Sequence, residues 1–478
     1  MGYGKRAGEN AEQALLRDCE VVPEELAMSL ERLKEFTKPY LEWMPRMEMR
    51  KHGEKFLEGL LSDLERKSVE PITEWLGQYR RPLQYFIGAS PWDHRPILAQ
   101  LVEEVAQELG EPNGVLVIDP STFPKKGKDS VGVARQWCGR LGKMESCQKG
   151  VFLGYVTNLG HTLVAERLYL PKEWTRDKAR KDQCGIPKGV RFKTAQKLSL
   201  DLLEECREKL PHRWVVADDE FGRPFAFREA LEEMGERYLL EIPSNLLVRV
   251  IRKKVDQKIG SAGKGRKKTP YTRVDVWKKG LAKADWKKIR IREGTKGPLT
   301  VWAARVRVRT KYRGLRSKKM QWLMVLKTEG RNPEYRYYLS NAEEDVRLDE
   351  MVHAANARHW VEDCFERAKG EVGLDHYEVR SWRGWHHHIT LSLLALYFLV
   401  LEQRRLNQST PALTLQQSSE AIGEILRNPG VDLHVLALKI TRRLRRIEQS
   451  RIDHWKKFQM LPPPWAVTRS NHVSYFTQ

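Results

Sequence analysis

The chain has 478 residues, 85 Lys and Arg against 63 Asp and Glu, a formal net charge of +22, and six cysteines. That length predicts roughly two to four domains with ample core, and a charge this positive predicts a polyanionic partner, nucleic acid first. None of Cys19, Cys138, Cys147, Cys184, Cys206 and Cys364 forms a C-x-x-C pair, which argues against a zinc ribbon and fits a reducing compartment.

Residues 1–110 read as a helical module for DNA binding or dimerisation. The first residues lack the apolar run of a signal peptide. Apolar residues recur with a 3.6-residue period over 23–33 and 55–66, Pro71 and Pro82 fall between helices, and a third run, 97–109, ends at Gly110. At Gly114 the pattern changes. Val115, Leu116, Val117 and Ile118 form a short, fully apolar run ending in Asp119, as a buried strand does when it delivers a carboxylate at its C-terminal edge. Strands follow at 150–157 and 162–170, and a helix at 190–210. The stretch 213–218 then repeats the first event, with apolar residues ending in Asp218. A helix at 225–234 and a strand from Tyr238 to Pro243 complete the first part of a mixed α/β core, 111–245. Two buried strands that both finish in Asp point to a metal site, because an unpaired buried carboxylate is costly. Either Asp also suits a helix cap or turn. Asp218 and Asp219 face opposite ways on an extended backbone, and the alternation does not choose between them.

Residues 246–345 form a basic, β-rich stretch, of which 246–330 hold nearly all the excess charge. Residues 261–268 read as a flexible basic loop. In 301–309 the alternation is strict, with Arg305, Arg307 and Arg309 on one strand face, and further strands fall at 322–326 and 335–339. Trp277, Trp286, Trp302 and Tyr312 are interleaved with the cations. Cations grip phosphates and aromatics stack on bases, so the mixture suits DNA with distorted or extruded bases, with Trp286 as the stacking candidate. A sheet with one basic, solvated face has the same pattern.

The core resumes over 346–405. The segment 358–369 is helical, and at about 100° per residue Arg358 and Lys369 lie at roughly −40° and −20° from Glu362, on its face. A carboxylate between two cations suits a metal ion with phosphate gripped on either side, although i,i+4 ion pairs on an amphipathic helix look alike. His386, His387 and His388 fan out by about 100° each, so the three cannot share one metal, and they read as a helix start or a phosphate contact. The longest apolar run, 389–401, is short for a bilayer and reads as a buried helix, so the chain is expected to be cytoplasmic and to make no membrane contact. Helices at 389–404, 415–427 and 433–449 end the fold. The last two lie in a C-terminal module, 406–478, whose Pro-rich tail from Pro462 drapes over the surface.

These residues match a family pattern. The chain resembles the DDE-type transposases of bacterial insertion sequences, in the branch marked by Tyr-x2-Arg-x3-Glu-x6-Lys. Arg358, Glu362 and Lys369 fit the last three positions, and the Tyr slot holds Ala355. The stretches 134–152 and 168–174 also look like this family. Its Asp-x-x-Tyr-Gly motif is matched by Asp218, Phe221 and Gly222, with Phe for Tyr, which selects Asp218 over Asp219. The resemblance implies a ribonuclease-H-like mixed-sheet core interrupted by the basic insertion, with helical modules at both ends. It implies two Mg²⁺ ions about 4 Å apart, for which Mn²⁺ may substitute, with Asp119 bridging and Asp218 and Glu362 holding one each. Arg358 and Lys369 would clamp the scissile strand, and Lys125, Lys126 and Lys128 the adjacent backbone. The implied reaction cuts double-stranded DNA at terminal inverted repeats, through a hairpin on the transposon end, and joins the 3′-OH to target DNA within at least a homodimer. A non-cleaving DNA-binding descendant and another nuclease of this core, such as a junction resolvase, are the alternatives.

Overall fold

The structure is a computed structural model that describes residues 12–251, 270–294 and 297–457. The basic loop at 261–268 and the tail from Pro462 lie outside these residues. The strands are β1 (Val115–Pro124), β2 (Ala134–Cys138), β3 (Lys143–Thr157), β4 (Gly160–Tyr169), β5 (Trp214–Ala217), β6 (Tyr238–Ile242), β7 (Leu247–Val250), β8 (Thr272–Arg273), β9 (Lys287–Gly294), β10 (Gly297–Tyr312), β11 (Leu315–Arg316), β12 (Gln321–Thr328) and β13 (Tyr335–Ser340). The helices that matter here are α1 (Met47–Leu61), α2 (Arg80–Gly88), α3 (His94–Leu109), α4 (Ala195–Cys206), α5 (Asp219–Gly222), α6 (Phe225–Glu233), α7 (Leu348–Val372), α8 (Trp382–Leu406), α9 (Leu415–Arg427) and α10 (Leu433–Lys457).

The described strands join one mixed sheet. β3 pairs antiparallel with both β1 and β4, whereas β1, β5 and β6 run parallel to one another. Val115 to Ile118 are all fully buried, which suits a strand covered on both faces. β13 pairs antiparallel with β6, and β12, β10 and β7 continue outward from it, so the strands of 246–345 extend the same sheet. A small apolar cluster of Val248, Val308, Leu323 and Leu339 supports that extension.

The N-terminal helices, the sheet, α7, α8 and part of α9 share one large core. α8 starts at a Ser381 cap and is long and apolar enough to cross a membrane, longer than the run 389–401 suggested. Instead, 94% of its apolar window is buried in protein, so it serves as the central helix.

Several boundaries differ from the sequence reading. Pro71 and Pro82 lie in the first turns of Val69–Trp75 and α2, not between helices. First-turn N–H groups have no intrahelical acceptor, so proline loses nothing there. β1 does not stop at Asp119 but runs on to Pro124, held by β3. The helix expected from 190 begins at Ala195, where the Thr194 side chain accepts from Lys197 N. The helix expected over 358–369 is part of a longer one, α7, which ends at Gly373, at φ 62°, a left-handed conformation that glycine adopts cheaply.

Candidate active site

The parallel strands set the site. Ile118 of β1 is level with Ala217 of β5, and Ala217 with Leu240 of β6. The next residue on each chain is acidic: Asp119, Asp218 and Glu241. Neighbouring strands lie roughly 4.8 Å apart, so three carboxylates form a row at the C-terminal edge of the parallel strands, where open α/β sheets bind ligands.

α7 supplies the rest. It crosses the sheet face by packing Val361 onto Gly154 of β3, where a Cβ would lie 2.5 Å from Val361 Cγ2. Phe365 meets Phe152 edge-on, with ring centroids 5.2 Å apart. This close approach turns Arg358 and Glu362 towards the acid row. One Arg358 nitrogen, Nη2, lies 3.4 Å from Asp119 Oδ1 and 3.7 Å from Glu362 Oε1, and Nη1 donates to Glu241. Arg358 is thus nearly buried among carboxylates, while Glu362 is half-exposed.

Burial pushes the Asp119 carboxyl up to about 7; Arg358 opposes the shift, and Asp218 and Glu362 add to it. Burial likewise raises Asp218 to about 6, against Arg358 and with Glu220 and Asp219. Burial works against the charge of Arg358, but Asp119, Glu241 and Asp218 outweigh it and hold the cation above its ordinary value. A carboxyl taken out of water holds its proton more tightly until a cation arrives.

Asp218 also fills the capping role that its position allowed: Oδ1 accepts from Glu220 N at 3.0 Å at the start of α5. Asp219 turns away and pairs with Arg223 at 3.1 Å. Glu241 escaped the sequence reading, although Tyr238 to Glu241 repeats the apolar-run-then-acid signal of the two aspartates.

The other predicted residues scatter. Lys369, two turns beyond Glu362, has its ammonium 5.8 Å from the Phe123 ring and 5.6 Å from the Phe365 ring. Burial lowers its pKa, while Asp375 and Asp119 oppose the shift. Lys125 is engaged inside the protein: it donates to Tyr377 O at 3.1 Å, and burial brings it down to about 8. Lys126 and Lys128 are exposed. Arg305 donates to Val346 O just before α7, and Arg305 and Arg307 lie 4.3 and 4.9 Å from the Trp322 ring. Arg309 pairs in register with Arg249. Trp286 packs against Tyr335, ring centroids 6.4 Å apart, with Lys327 5.8 Å from its ring.

His386, His387 and His388 do lie at the start of α8, but all are buried, so the phosphate-contact reading falls. They fan out to separate partners: Glu166, the carbonyls of Ile87 and Trp92, and the carbonyl of Gly373.

Residues 39–298, more than half of the chain, match the model of the family described as DDE superfamily endonuclease. This chain belongs to that family. The DDE match takes in Asp119, Asp218 and Glu241 and stops before Glu362, so the fourth acid rests on the packing of α7. A relative from Microchaete diplosiphon, "Probable transposase for insertion sequence element IS701", is 26% identical over 197 residues, 40% of this chain and 49% of the relative. The chain spans about half the length of that curated relative.

Proposed function

We propose that this DDE-family chain is an insertion-sequence transposase that cuts DNA at terminal inverted repeats and joins the freed 3′-OH to target DNA, with Asp119, Asp218 and Glu362 as its catalytic acids. The observation that carries this reading is the row of acids at the edge of the parallel strands, with Glu362 brought over it by α7. The strand order β4-β3-β1-β5-β6, antiparallel on one side of β1 and parallel on the other, supports a ribonuclease-H-like core.

The donor set fits divalent magnesium. All donors are oxygens, Asp119 and Asp218 are largely buried carboxyls whose burial raises them above the ordinary aspartate value, and half-exposed Glu362 leaves an approach from solvent. Asp119, Asp218 and Glu362 would hold two such ions, with Mn²⁺ as a substitute. Bound there, the ions activate the attacking water or 3′-OH and relieve charge on the leaving oxygen.

The chain's own groups do the positioning. Arg358 holds the acids together through Asp119, Glu241 and Glu362 and keeps Glu241 as a partner when the others take metal. Lys369, whose charge Asp119 feels, offers a cation for the scissile strand, and exposed Lys126 and Lys128, in the loop after β1, offer cations for the adjacent backbone. Arg307, stacked on Trp322, and Arg309 give the sheet extension a surface for duplex backbone, Arg305 braces that stack from Val346 O, and Trp286 is the residue proposed to stack on an extruded base. A hairpin on the transposon end is the intermediate proposed, with at least a homodimer holding two ends.

DNA carrying the flanking inverted repeats, incubated with the protein and Mg²⁺, tests this reading. Cleavage at the repeat ends that vanishes in Asp119→Ala supports it. Tight binding without cleavage would make the chain a DNA-binding descendant, and cutting of branched junctions regardless of sequence would make it a resolvase.

A further inference from the structure

A second cluster of donor groups lies away from the acid row. Asp119 of β1 is level with Phe152 of β3, and Phe152 with Glu166 of β4. Glu166 therefore sits two strands from Asp119, roughly 10 Å, with the Phe152 side chain between.

Glu166 is fully buried. Its Oε1 lies 2.6 Å from His386 Nδ1 and 3.9 Å from His94 Nε2. The two imidazoles stack, with centroids 4.4 Å apart and planes 17° apart. One donor atom from each of the three lies within 4.8 Å of the other two. Yet Glu166 Oε2 and His386 Nε2 are buried with no hydrogen-bond partner. The guanidinium of Arg167, the next residue, is turned to Glu205 and to the Glu166 carbonyl. An unneutralised carboxylate at zero exposure is costly, and an orphaned acceptor beside it more so.

We propose that His94, Glu166 and His386 form a buried site for one zinc-class metal ion, separate from the magnesium site of the acid row. Two imidazoles and one carboxylate are a common zinc donor set, with a fourth position left for water. Nitrogen donors favour zinc over magnesium, so the two sites sort their ions by chemistry. Burial keeps both imidazoles neutral, the form that ligates, and pushes the Glu166 carboxyl up to about 7, as expected of an acid without a cation. His94 opens α3, Glu166 lies on β4 and His386 on α8, so the ion pins an N-terminal helix and the central helix to the core sheet. Trp382 and Trp385 pack on His386, with centroids 4.4 and 4.9 Å from its ring, which makes tryptophan fluorescence a local probe.

The test is zinc content and zinc titration of the full chain in excess magnesium, with cobalt substitution read by visible absorption and by tryptophan quenching. The expected result is one zinc per chain, tetrahedral cobalt bands, and retention of both when Asp119, Asp218 and Glu362 are all changed to Ala. His94→Gln, at the partly exposed edge of the site, should abolish stoichiometric binding even if Glu166→Gln does not fold. A wild-type chain that takes up no zinc is a neutral, hydrogen-bonded trio, and the proposal is overturned. Unchanged binding in His94→Gln overturns it equally.

Discussion

Arg358 Nη2 lies 3.4 Å from Asp119 Oδ1, across 239 residues of chain, and this contact joins α7 to the acid row. The same guanidinium reaches Glu362 and Glu241. Arg358 is therefore the one cation shared by three of the four carboxylates in the described structure, rather than a free clamp for phosphate. Arg358→Ala should lower repeat-end cleavage about 100-fold, and destabilise the metal-free protein by about 3 kcal/mol because buried acids lose their partner. Glu241→Gln should cost only about tenfold in rate and leave metal affinity near wild type, because it removes a support and not a ligand. Single-turnover cleavage with a metal titration separates the two.

The pH dependence follows from Asp119, near 7, and Asp218, near 6. Both folded-state values lie above the ordinary aspartate value near 4, so folding retains protons that the unfolded chain releases. Their contribution to stability is complete below about pH 4 and is lost as pH rises through 6 and 7. Magnesium competes with those protons, so its affinity should climb over the same interval. Thermal unfolding should show a larger Mg²⁺-induced rise in Tm at pH 8 than at pH 5.5, and Asp119→Asn should flatten the difference. An equal Mg²⁺ effect at both pH values would contradict the assignment.

Gly154 sets how closely α7 approaches the sheet. In Gly154→Ala the new Cβ would lie 2.5 Å from Val361 Cγ2, which overpacks the contact at about 1–3 kcal/mol and lifts Glu362 from the aspartates. Cleavage should fall much further than DNA affinity. Adding Val361→Ala should restore both stability and rate, and a double variant no better than the single would show that the close approach does not position Glu362.

Arg305 and Arg307 flank one ring but should differ in effect. Arg305 is tied to Val346 O, whereas Nε and Nη1 of Arg307 are buried without a hydrogen-bond partner. Arg307→Ala should weaken binding to any duplex and reduce the salt slope by about 1, while Arg305→Ala should mainly lower Tm. Fluorescence anisotropy over a salt series, beside thermal melts, checks both.

Much of this site was readable in the residues, and the misses have physical causes. Apolar runs ending in Asp119 and Asp218 marked the parallel strands, and helical spacing placed Arg358 beside Glu362. Glu241 ended a third such run but carried no motif, and only the register Ile118–Ala217–Leu240 brings it level with the aspartates. Helical spacing alone showed Arg358 next to Glu362 and left open what else it faced. The three histidines fan out on α8 as helical spacing requires, and their separate partners, Glu166 above all, come from strands and helices far away in sequence. Strand β1 ran longer than its apolar run because β3 pairs with it to Pro124.

The most direct measurement is an anomalous difference map of the protein–DNA complex soaked in Mn²⁺. Manganese is expected among the carboxylates of Asp119, Asp218 and Glu362, with Arg358 still on Glu241. Manganese bound away from all three, or Glu362 remote from both aspartates on DNA, would contradict it.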